Sequence, residues 1–404
     1  MAERKKPAVR FKGFTNDWEQ RKLGELCSLI TKGTTPKDKS GNGEVNFVKV
    51  ENIDTDNGEI TSMSKISVEE HEGYLRRSRL EENDILFSIA GTLGRVSVVK
   101  PSILPANTNQ ALAIIRTNKG YIPYLTTVLK GPAVEDFIRK NPTIGAQPNL
   151  SLEQVNNLDI SYPEYDEQVK IGDYFESLDN LITLHQRKYE KLKNIKKSML
   201  EKMFPKNGKN IPDIRFKGFT NAWEQRKFSE LYKKSCEKND GSIGMDKNIT
   251  VATMQYKKDV KVSTVEYLKT YYTFCVGDIA FEGHQSKEFR FGRFVENDIG
   301  DGIVSHIFAV FRPIVEYDLY FWKYAINNES LMQGILSRST KASTMMHDLV
   351  TDDFLNESFY VTNLEEQKKI GFFLNNLDHL ITLHHRKCEK LKNIKKSMLE
   401  KMFV

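Results

Sequence analysis

Residue patterns that could support catalysis are few in this chain. The nearest match to the Asn/Asp-Pro-Pro-aromatic motif of adenine methyltransferases is Asn141-Pro142-Thr143-Ile144, which lacks the second proline and the aromatic residue. The sequence has no G-x-x-x-x-G-K-[ST] loop, so ATP binding of that kind is not expected. Asp353 with Glu366-Gln367-Lys368 resembles a nuclease pattern, but the related Glu167-Gln168-Val169 has no lysine. The sequence therefore predicts neither a catalytic site nor a cofactor in this chain.

Metal-binding patterns are equally weak. The four cysteines have no C-x-x-C spacing, which indicates a reducing compartment without a disulfide framework or zinc site. His384 and Cys388 are spaced like two ligands on one helix face, but Tyr189 stands at the position related to Cys388. We therefore expect packed side chains and no metal. No apolar run approaches the roughly 18 residues of a membrane helix. These features fit a bacterial or archaeal cytoplasm, and a eukaryotic cytosol is the alternative.

Two pairs of repeated segments organise the chain. The leading segments, residues 10–26 and 215–231, match at 14 of 17 positions. The trailing segments, residues 167–204 and 366–403, match at 29 of 38 positions, and their last fifteen residues are identical. The sequences between a leading and a trailing segment show no comparable identity. One framework that presents two different surfaces is the simplest interpretation.

The variable inserts, residues 27–166 and 232–365, have the patterns of mixed α/β domains. Strands are predicted at 45–50, 85–90, 95–99, 111–116, 249–254, 279–281 and 303–312, and helices at 121–130, 134–139 and 319–326. Ser151 and Gln154 form a plausible capping box for a further short helix. Gly91 and Gly94 are best interpreted as a hairpin turn between strands.

The trailing segments predict two long helices. Residues 173–204 contain no glycine or proline, and apolar residues recur there every three or four positions. Residues 185–202 and 384–401 each carry a net charge of +5, against +6 for the whole chain. These lysines suit either a solvated helix face or a nearby phosphate backbone. We expect the helices to pack on each other and on a partner protein, and to set the spacing between the inserts.

Several short motifs occur in a fixed order along the chain, and the first and last of them occur twice. They are Trp18-Glu19 and Trp223-Glu224, Lys32-Gly33-Thr34-Thr35-Pro36, Asn83-Asp84-Ile85-Leu86, Asn109-Gln110-Ala111, Gln147-Pro148-Asn149-Leu150, and the Glu-Gln-x-Lys-Ile sequences at 167–171 and 366–370. In this order and in duplicate, they resemble the specificity subunit of type I restriction–modification systems. The second insert departs from the pattern, because Ser305-His306-Ile307 stands where the first has Asn109-Gln110-Ala111.

The resemblance implies an α+β fold, with two mixed α/β target recognition domains joined by two long antiparallel coiled-coil helices in an internal pseudo-two-fold repeat. The implied domains are the first recognition domain at 1–164, the first long helix at 165–204, the linker and second recognition domain at 205–362, and the second long helix at 363–404. Each recognition domain would read one half of a bipartite site in double-stranded DNA.

The resemblance also implies partners: two methyltransferase subunits held by the helices, and two restriction/translocase subunits. S-adenosylmethionine, ATP and Mg²⁺ would belong to those partners. A stand-alone two-domain DNA-binding regulator, or an enzyme with an unrecognised motif, are the alternatives.

Polar, fork-shaped or amide side chains in turn-rich segments suit contacts to phosphates and base edges. The predicted DNA-binding residues are Lys32, Thr34, Lys37, Arg76, Arg77, Arg79, Arg95, Asn109, Gln147, Gln285, Lys287, Arg290, Arg293, His306 and Lys341. The predicted partner-binding residues on the helical apolar stripes are Leu178, Ile182, Tyr189, Leu192, Met199, Leu377, Ile381, Leu391 and Met398.

Overall fold

The repeated framework folds into two units. The structure, a computed structural model, describes residues 7–55, 57–141, 149–206, 208–258, 264–343 and 346–403. The first unit comprises Met1–Arg187 and His385–Val404, and the second comprises Lys188–His384. Each unit thus combines one variable insert with parts of both trailing segments. The domain boundaries predicted from the sequence stay a prediction.

The first unit is built on a four-stranded antiparallel sheet. Its strands are β1 (Glu19–Lys22), β2 (Cys27–Lys32), β3 (Val45–Val48), β4 (Ser64–Ile66), β5 (Ile85–Ser88), β6 (Val96–Val98), β7 (Ala106–Thr108), β8 (Leu112–Thr117) and β9 (Asp159–Tyr162). Its helices are α1 (Val68–Glu72), α2 (Ile122–Leu129), α3 (Pro132–Lys140), α4 (Leu152–Asn156) and the beginning of α5 (Tyr165–Lys202). The main sheet has the order β2-β8-β5-β6, beside a β4-β3-β7 sheet and a β1-β9 pair.

The second unit repeats that order with a different sequence. Its strands are β10 (Glu224–Lys227), β11 (Tyr232–Ser235), β12 (Ile249–Thr250), β13 (Gln255–Tyr256), β14 (Tyr272–Phe274), β15 (Ile279–Glu282), β16 (Arg293–Glu296), β17 (Gly302–Val304), β18 (Val310–Pro313), β19 (Thr340–Ala342), β20 (His347–Leu349) and β21 (Ser358–Val361). Its helices are α6 (Val265–Leu268), α7 (Leu319–Ile326), α8 (Glu329–Ser339), α9 (Thr351–Asn356) and the beginning of α10 (Leu364–Met402). The main sheet has the order β11-β18-β15-β16, which confirms the α+β class and the internal repeat.

The two long helices run antiparallel where they meet within a unit. In the first unit, the Lys395 ammonium binds the Asp179 carboxylate, and Cys388 Sγ lies 3.4 Å from Gln186 Oε1. Residues later in α5 therefore contact residues earlier in α10, as expected for an antiparallel pair. In the second unit, Lys196 Nζ binds Asp378 at 2.6 Å. This ion pair is the counterpart of the first, with the two helices exchanging roles.

A buried ion pair fastens each leading segment to the start of a long helix. Arg10 donates to both carboxylate oxygens of Glu167, at 2.6 and 2.7 Å, and Arg215 binds Glu366 in the same way at 2.6 and 2.8 Å. Both glutamates are fully buried. The sequence predicted only a favourable charge in the first helical turn, because the partner lies far away in the chain.

The glutamine after each glutamate joins the long helix to the insert. Gln168 accepts from the backbone N–H of Tyr121, the residue before α2, and donates to the carbonyl of Pro163. Gln367 accepts from Asp318, the residue before α7, and donates to Thr362. The two glutamines therefore bind the starts of α2 and α7 in the same way, although the sequences of these helices differ.

The ends of the identical trailing sequences complete the cores. Phe403 packs against Trp18, Tyr124 and Phe175 in the first unit, with ring centroids 5.9 to 6.2 Å away. Phe204 packs against Trp223 and Phe321 in the second unit, at 6.0 and 5.5 Å. Each long helix therefore begins in one unit and ends in the core of the other.

Local predictions in the inserts are mostly confirmed. Helix α7 has the predicted limits, and Ser151 and Gln154 form both hydrogen bonds of the capping box. Gly91 and Gly94 lie in the hairpin between β5 and β6. The single strand predicted at 303–312 is wrong: the turn at residues 305–309 divides it into β17 and β18. Apolar content continues through that turn, so the pattern did not reveal the break.

Candidate nucleic-acid interface

The loop after β2 is the centre of a polar cluster in the first unit. Arg77 Nε donates to Thr34 Oγ1 at 3.4 Å, and the Lys37 ammonium lies 4.7 Å from the centroid of the exposed Tyr74 ring. Lys32 is exposed at the end of β2. We call the set Lys32, Thr34, Lys37, Tyr74 and Arg77 the loop cluster. Sequence analysis predicted four of its members and missed Tyr74, whose exposure no pattern indicated.

The turn between β7 and β8 adjoins the loop cluster. A Cβ atom on Gly33 would come within 2.2 Å of the carbonyl oxygens of Thr108 and Asn109, so only glycine permits this close approach. Thr35 Oγ1 donates to Gln110 Oε1 at 2.9 Å, and Asn109 Oδ1 accepts from the Ala111 N–H at 3.2 Å. The exposed Gln110 is an amide that the predicted set omitted. The turn and the loop thus present amides and cations together.

Two of the arginines predicted in the first insert have acceptors within the unit. Arg95 Nη1 donates to the carbonyls of Val50 and Ile53, at 3.0 and 2.7 Å. Arg79 donates to the carbonyl of His71 and to the Glu72 carboxylate. Arg76 is exposed, and Gln147 lies outside the described residues. Arg76 is therefore a stronger candidate for a DNA contact than Arg79 or Arg95.

A second cluster surrounds the loop between β15 and β16. Gln285 Nε2 lies 2.6 Å from His347 Nε2, and Lys341 stands on the β19–β20 hairpin that contains this histidine. Lys287 and Arg290 are exposed on the loop. We call the set Gln285, Lys287, Arg290, Lys341 and His347 the hairpin cluster. Sequence analysis predicted all of them except His347.

Arg293 and His306 have different surroundings from the hairpin cluster. Arg293 donates to Glu282 Oε2 at 3.2 Å and to the Ala252 carbonyl at 2.7 Å, so its guanidinium supports the unit itself. His306 is exposed in the turn between β17 and β18. That turn is the counterpart of the β7–β8 turn in the first unit.

The acidic motif shared by the inserts is structural. The Arg116 guanidinium binds the buried Asp84 at 2.7 and 2.8 Å, and Arg312 binds the buried Asp278 at 2.9 Å. The hydrogen bonds that Arg312 donates to Asp278 raise the pKa of Arg312. These pairs join neighbouring strands of each main sheet. The residue before each aspartate has a positive φ, which explains why Asn83 and Gly277 occur there.

The predicted partner-binding side chains lie in the cores of the units or at their edges. Leu178, Ile182 and Leu377 are buried. The half-buried members are Tyr189, Leu192, Met199, Ile381, Leu391 and Met398. The exposed apolar side chains of the helices are different, and they include the counterparts Leu181 and Leu380, and Leu184 and Leu383. The predicted partner-binding set omitted these four leucines, although the helical periodicity included Leu181 and Leu380 in the apolar stripes.

Within the described ranges, no three histidine, cysteine or acidic residues are grouped closely enough to hold a metal ion. No helix among the residues that the structure describes is long and apolar enough to cross a membrane.

The chain is similar in sequence to known specificity subunits of type I restriction enzymes. The putative type I restriction enzyme MjaX specificity subunit of Methanocaldococcus jannaschii is 28% identical over 200 residues, which are 47% of this chain and 46% of the relative. The EcoBI specificity subunit of Escherichia coli is 26% identical over 46% of this chain and 41% of its own length. The chain thus spans less than half the length of these two relatives.

Other comparisons cover nearly the whole chain. The MjaVIII specificity subunit of M. jannaschii is 23% identical over 95% of this chain and 91% of the relative. A crystal structure of the type I restriction–modification S subunit from M. genitalium covers 99% of both chains with a TM-score of 0.63 and 13% identity, which shows a shared fold. The family described as Type I restriction modification DNA specificity domain matches residues 15–194 and again residues 209–393. With two copies that together span most of its length, the chain belongs to this family.

Proposed function

We propose that the chain is the DNA sequence-recognition subunit of a type I restriction–modification complex. One observation carries the proposal. The two units share one strand order, and corresponding turns carry different polar side chains, Asn109 and Gln110 in the first and Ser305 and His306 in the second. A common framework with different side chains at one position suits two readers of two different half-sites.

Each unit offers groups for both kinds of DNA contact. Lys32, Lys37, Arg76 and Arg77 in the first unit and Lys287, Arg290 and Lys341 in the second are suited to phosphates. Thr34, Asn109, Gln285 and His306 are suited to base edges. In this proposal the phosphate contacts give affinity that falls with salt, and the base contacts give sequence preference.

The proposal assigns the chemistry to other subunits. The chain would bind two methyltransferase subunits and two restriction/translocase subunits, and S-adenosylmethionine, ATP and Mg²⁺ would be bound by them. The chain itself would be non-catalytic and would act in a prokaryotic cytoplasm. No separate observation favours a stand-alone regulator.

We infer that the methyltransferase subunits bind the exposed leucines of the long helices. Leu181 and Leu184 belong to the first unit, and Leu380 and Leu383 are their counterparts in the second. Two copies of one partner subunit need two identical binding surfaces. These leucines are the same in both repeats, whereas the inserts differ in sequence. Their exposure in the free chain distinguishes them from the packed stripe.

The proposed function is tested by expressing the chain with the methyltransferase of its source and mapping methylated bases in the genome of the expression host. A bipartite, asymmetric methylated sequence is the expected result. Exchanging residues 27–166 for the corresponding insert of another family member should then change one half of that sequence and leave the other intact. Methylation that is absent, or that depends on no bipartite sequence, would contradict the proposal.

A further inference from the structure

Ile307 is unusually exposed for its type. Its side chain is 72% exposed, more than that of any other exposed large hydrophobic residue in the described ranges. It lies in the turn between β17 and β18, which the hydrogen bond from Phe308 N to the Ser305 carbonyl closes at 3.1 Å. A single exposed apolar side chain is common at a protein surface, so its surroundings decide its meaning.

The turn that carries Ile307 also carries His306, and the neighbouring strand leads into a polar and basic loop. The Phe281 N–H donates to the Ala309 carbonyl at 3.0 Å, so the turn lies beside the end of β15. The loop that follows β15 carries Lys287 and Arg290 of the hairpin cluster, and His306 adjoins Ile307 in the chain. An apolar side chain next to an imidazole, in a turn beside a strand that leads into a basic loop, differs from a contact site for another protein, where charged residues are depleted at the centre.

The first unit provides an internal comparison for this position. Ile85 pairs with Ile115 between β5 and β8, and Ile279 pairs with Phe311 between β15 and β18. These pairings place Ile307 at the position that Ala111 occupies in the first unit. The framework therefore does not require a large side chain there. The large side chain of Ile307 is therefore part of the surface that differs between the units.

We propose that Ile307 is a specificity-determining residue that contacts the C5 methyl group of a thymine in the half-site read by the second unit. This inference rests on the proposed function. Among the base edges of unmodified DNA, the thymine methyl is the apolar group in the major groove, and apolar side chains recognise it. Burying Ile307 against it would remove both surfaces from water.

The experiment is a double-mutant cycle on the assembled complex, after its recognition sequence has been mapped. Each thymine of the sequence is replaced in turn by deoxyuridine, which lacks only the methyl group. Binding is measured for the native chain and for Ile307→Ala. We expect one thymine in the second unit's half-site whose replacement weakens native binding about fourfold, the effect of one buried methyl group. The same replacement should leave binding by Ile307→Ala nearly unchanged.

Ile314→Ala is the matched control. Ile314 is also an exposed isoleucine, at 48%, and follows β18 at the strand end opposite the turn. Its variant should lose as much affinity on the deoxyuridine replacement as the native chain. Equal losses for native and Ile307→Ala at every thymine, or a half-site without thymine, would overturn the inference and leave the proposed function intact. A complex that recognises no bipartite sequence would overturn both.

Discussion

Arg10 and Glu167 show how one residue pair can hold a distant segment in place. The Glu167 side chain is fully inaccessible and Arg10 is 15% exposed, and Trp18 Nε1 also donates to Glu167 at 3.0 Å. In the second unit the hydroxyl of Thr362 donates to Glu366, where the first unit has Pro163. Both glutamates thus bind the arginine of a leading segment, but their additional hydrogen-bond donors differ.

Arg10→Ala should destabilise the first unit, because it leaves a buried carboxylate with only the Trp18 donor. The expected loss is about 3 kcal/mol in the free energy of unfolding. Arg21→Ala is the control, since Arg21 pairs with Glu19 on the surface and its loss should change little. Chemical denaturation, monitored by hydrogen exchange in each unit, measures the stability change of both variants. Equal effects of the two variants would show that the buried pair is not the anchor.

Glu296 gives the second unit a pH dependence. Burial, followed by the nearby Asp298, raises the pKa of this carboxyl well above its usual value, against the opposing effect of Lys323. Its two oxygens and the Tyr232 hydroxyl have no hydrogen-bond partner in the described structure. The folded unit therefore holds the proton more strongly than the unfolded chain does.

A raised carboxyl pKa stabilises the fold most at low pH, and this contribution is lost as the pH rises through the folded pKa. Glu296→Gln should therefore raise the Tm of the second unit near neutral pH and flatten the decline of Tm as the pH rises above the unfolded carboxyl pKa of about 4.3. Glu288→Gln removes an exposed carboxylate from the same unit and serves as the control. A decline that persists in Glu296→Gln would assign it to another group.

Residue types alone could not distinguish side chains that are available for DNA contacts from side chains that stabilise the unit itself. Arg77 and Arg95 belong to equally polar, turn-rich sequence, yet Arg77 is exposed and Arg95 binds two carbonyls of its own unit. The direction of a guanidinium depends on acceptors that are distant in the chain. Tyr74 and Ile307 were missed because an apolar or aromatic residue in a short segment is usually taken as part of the core.

At the scale of elements, the identical trailing sequences end in two different cores. Phe204 and Phe403 follow the same fourteen residues, but Phe204 packs beneath Trp223 and Phe403 beneath Trp18. Their surroundings are unequal in detail, since Phe321 contacts Phe204 where Tyr124 contacts Phe403. Two helix ends with the same sequence thus pack in two different cores.

Phe403→Ala should destabilise the first unit by about 3–5 kcal/mol, and Phe204→Ala should destabilise the second by a similar amount. Each variant is the control for the other, because the local sequence is the same. Hydrogen exchange resolved by unit measures the effect. If Phe403→Ala weakened protection mainly in residues 188–384, the assignment of the helix ends to the units would be wrong.

The sequence indicated the long helices more reliably than the short strands. An apolar residue every third or fourth position over 30 residues has few alternative explanations, and both helices are present. Strands of three or four residues carry too little pattern to locate their ends. The turn at 305–309 shows this, since Ile307 and Phe308 continued the apolar run.

At the scale of the whole molecule, each unit exposes one pair of leucines on its long helix, Leu181 and Leu184 in the first and Leu380 and Leu383 in the second. Leu181→Glu with Leu184→Glu should remove one methyltransferase copy, and Leu380→Glu with Leu383→Glu should remove the other, because a buried unpaired carboxylate disfavours the interface. Mass measurement of the purified complex counts the copies. The control is Tyr165→Glu, which adds charge at another exposed apolar position of α5. Full stoichiometry in the four-leucine variant would exclude this surface.

The exchange of helix ends also determines the order in which the chain can mature on the ribosome. The second unit is continuous, so all of its residues have been synthesised once residue 384 has been added. The first unit contains Trp18 and Asp179 yet lacks their contacts Phe403 and Lys395 until residues beyond 384 have been synthesised. Although domains usually mature in the order of synthesis, here the later unit can close first. The core around Trp18 stays incomplete until Phe403 has been synthesised, which makes the first unit the one that chaperones would be expected to protect.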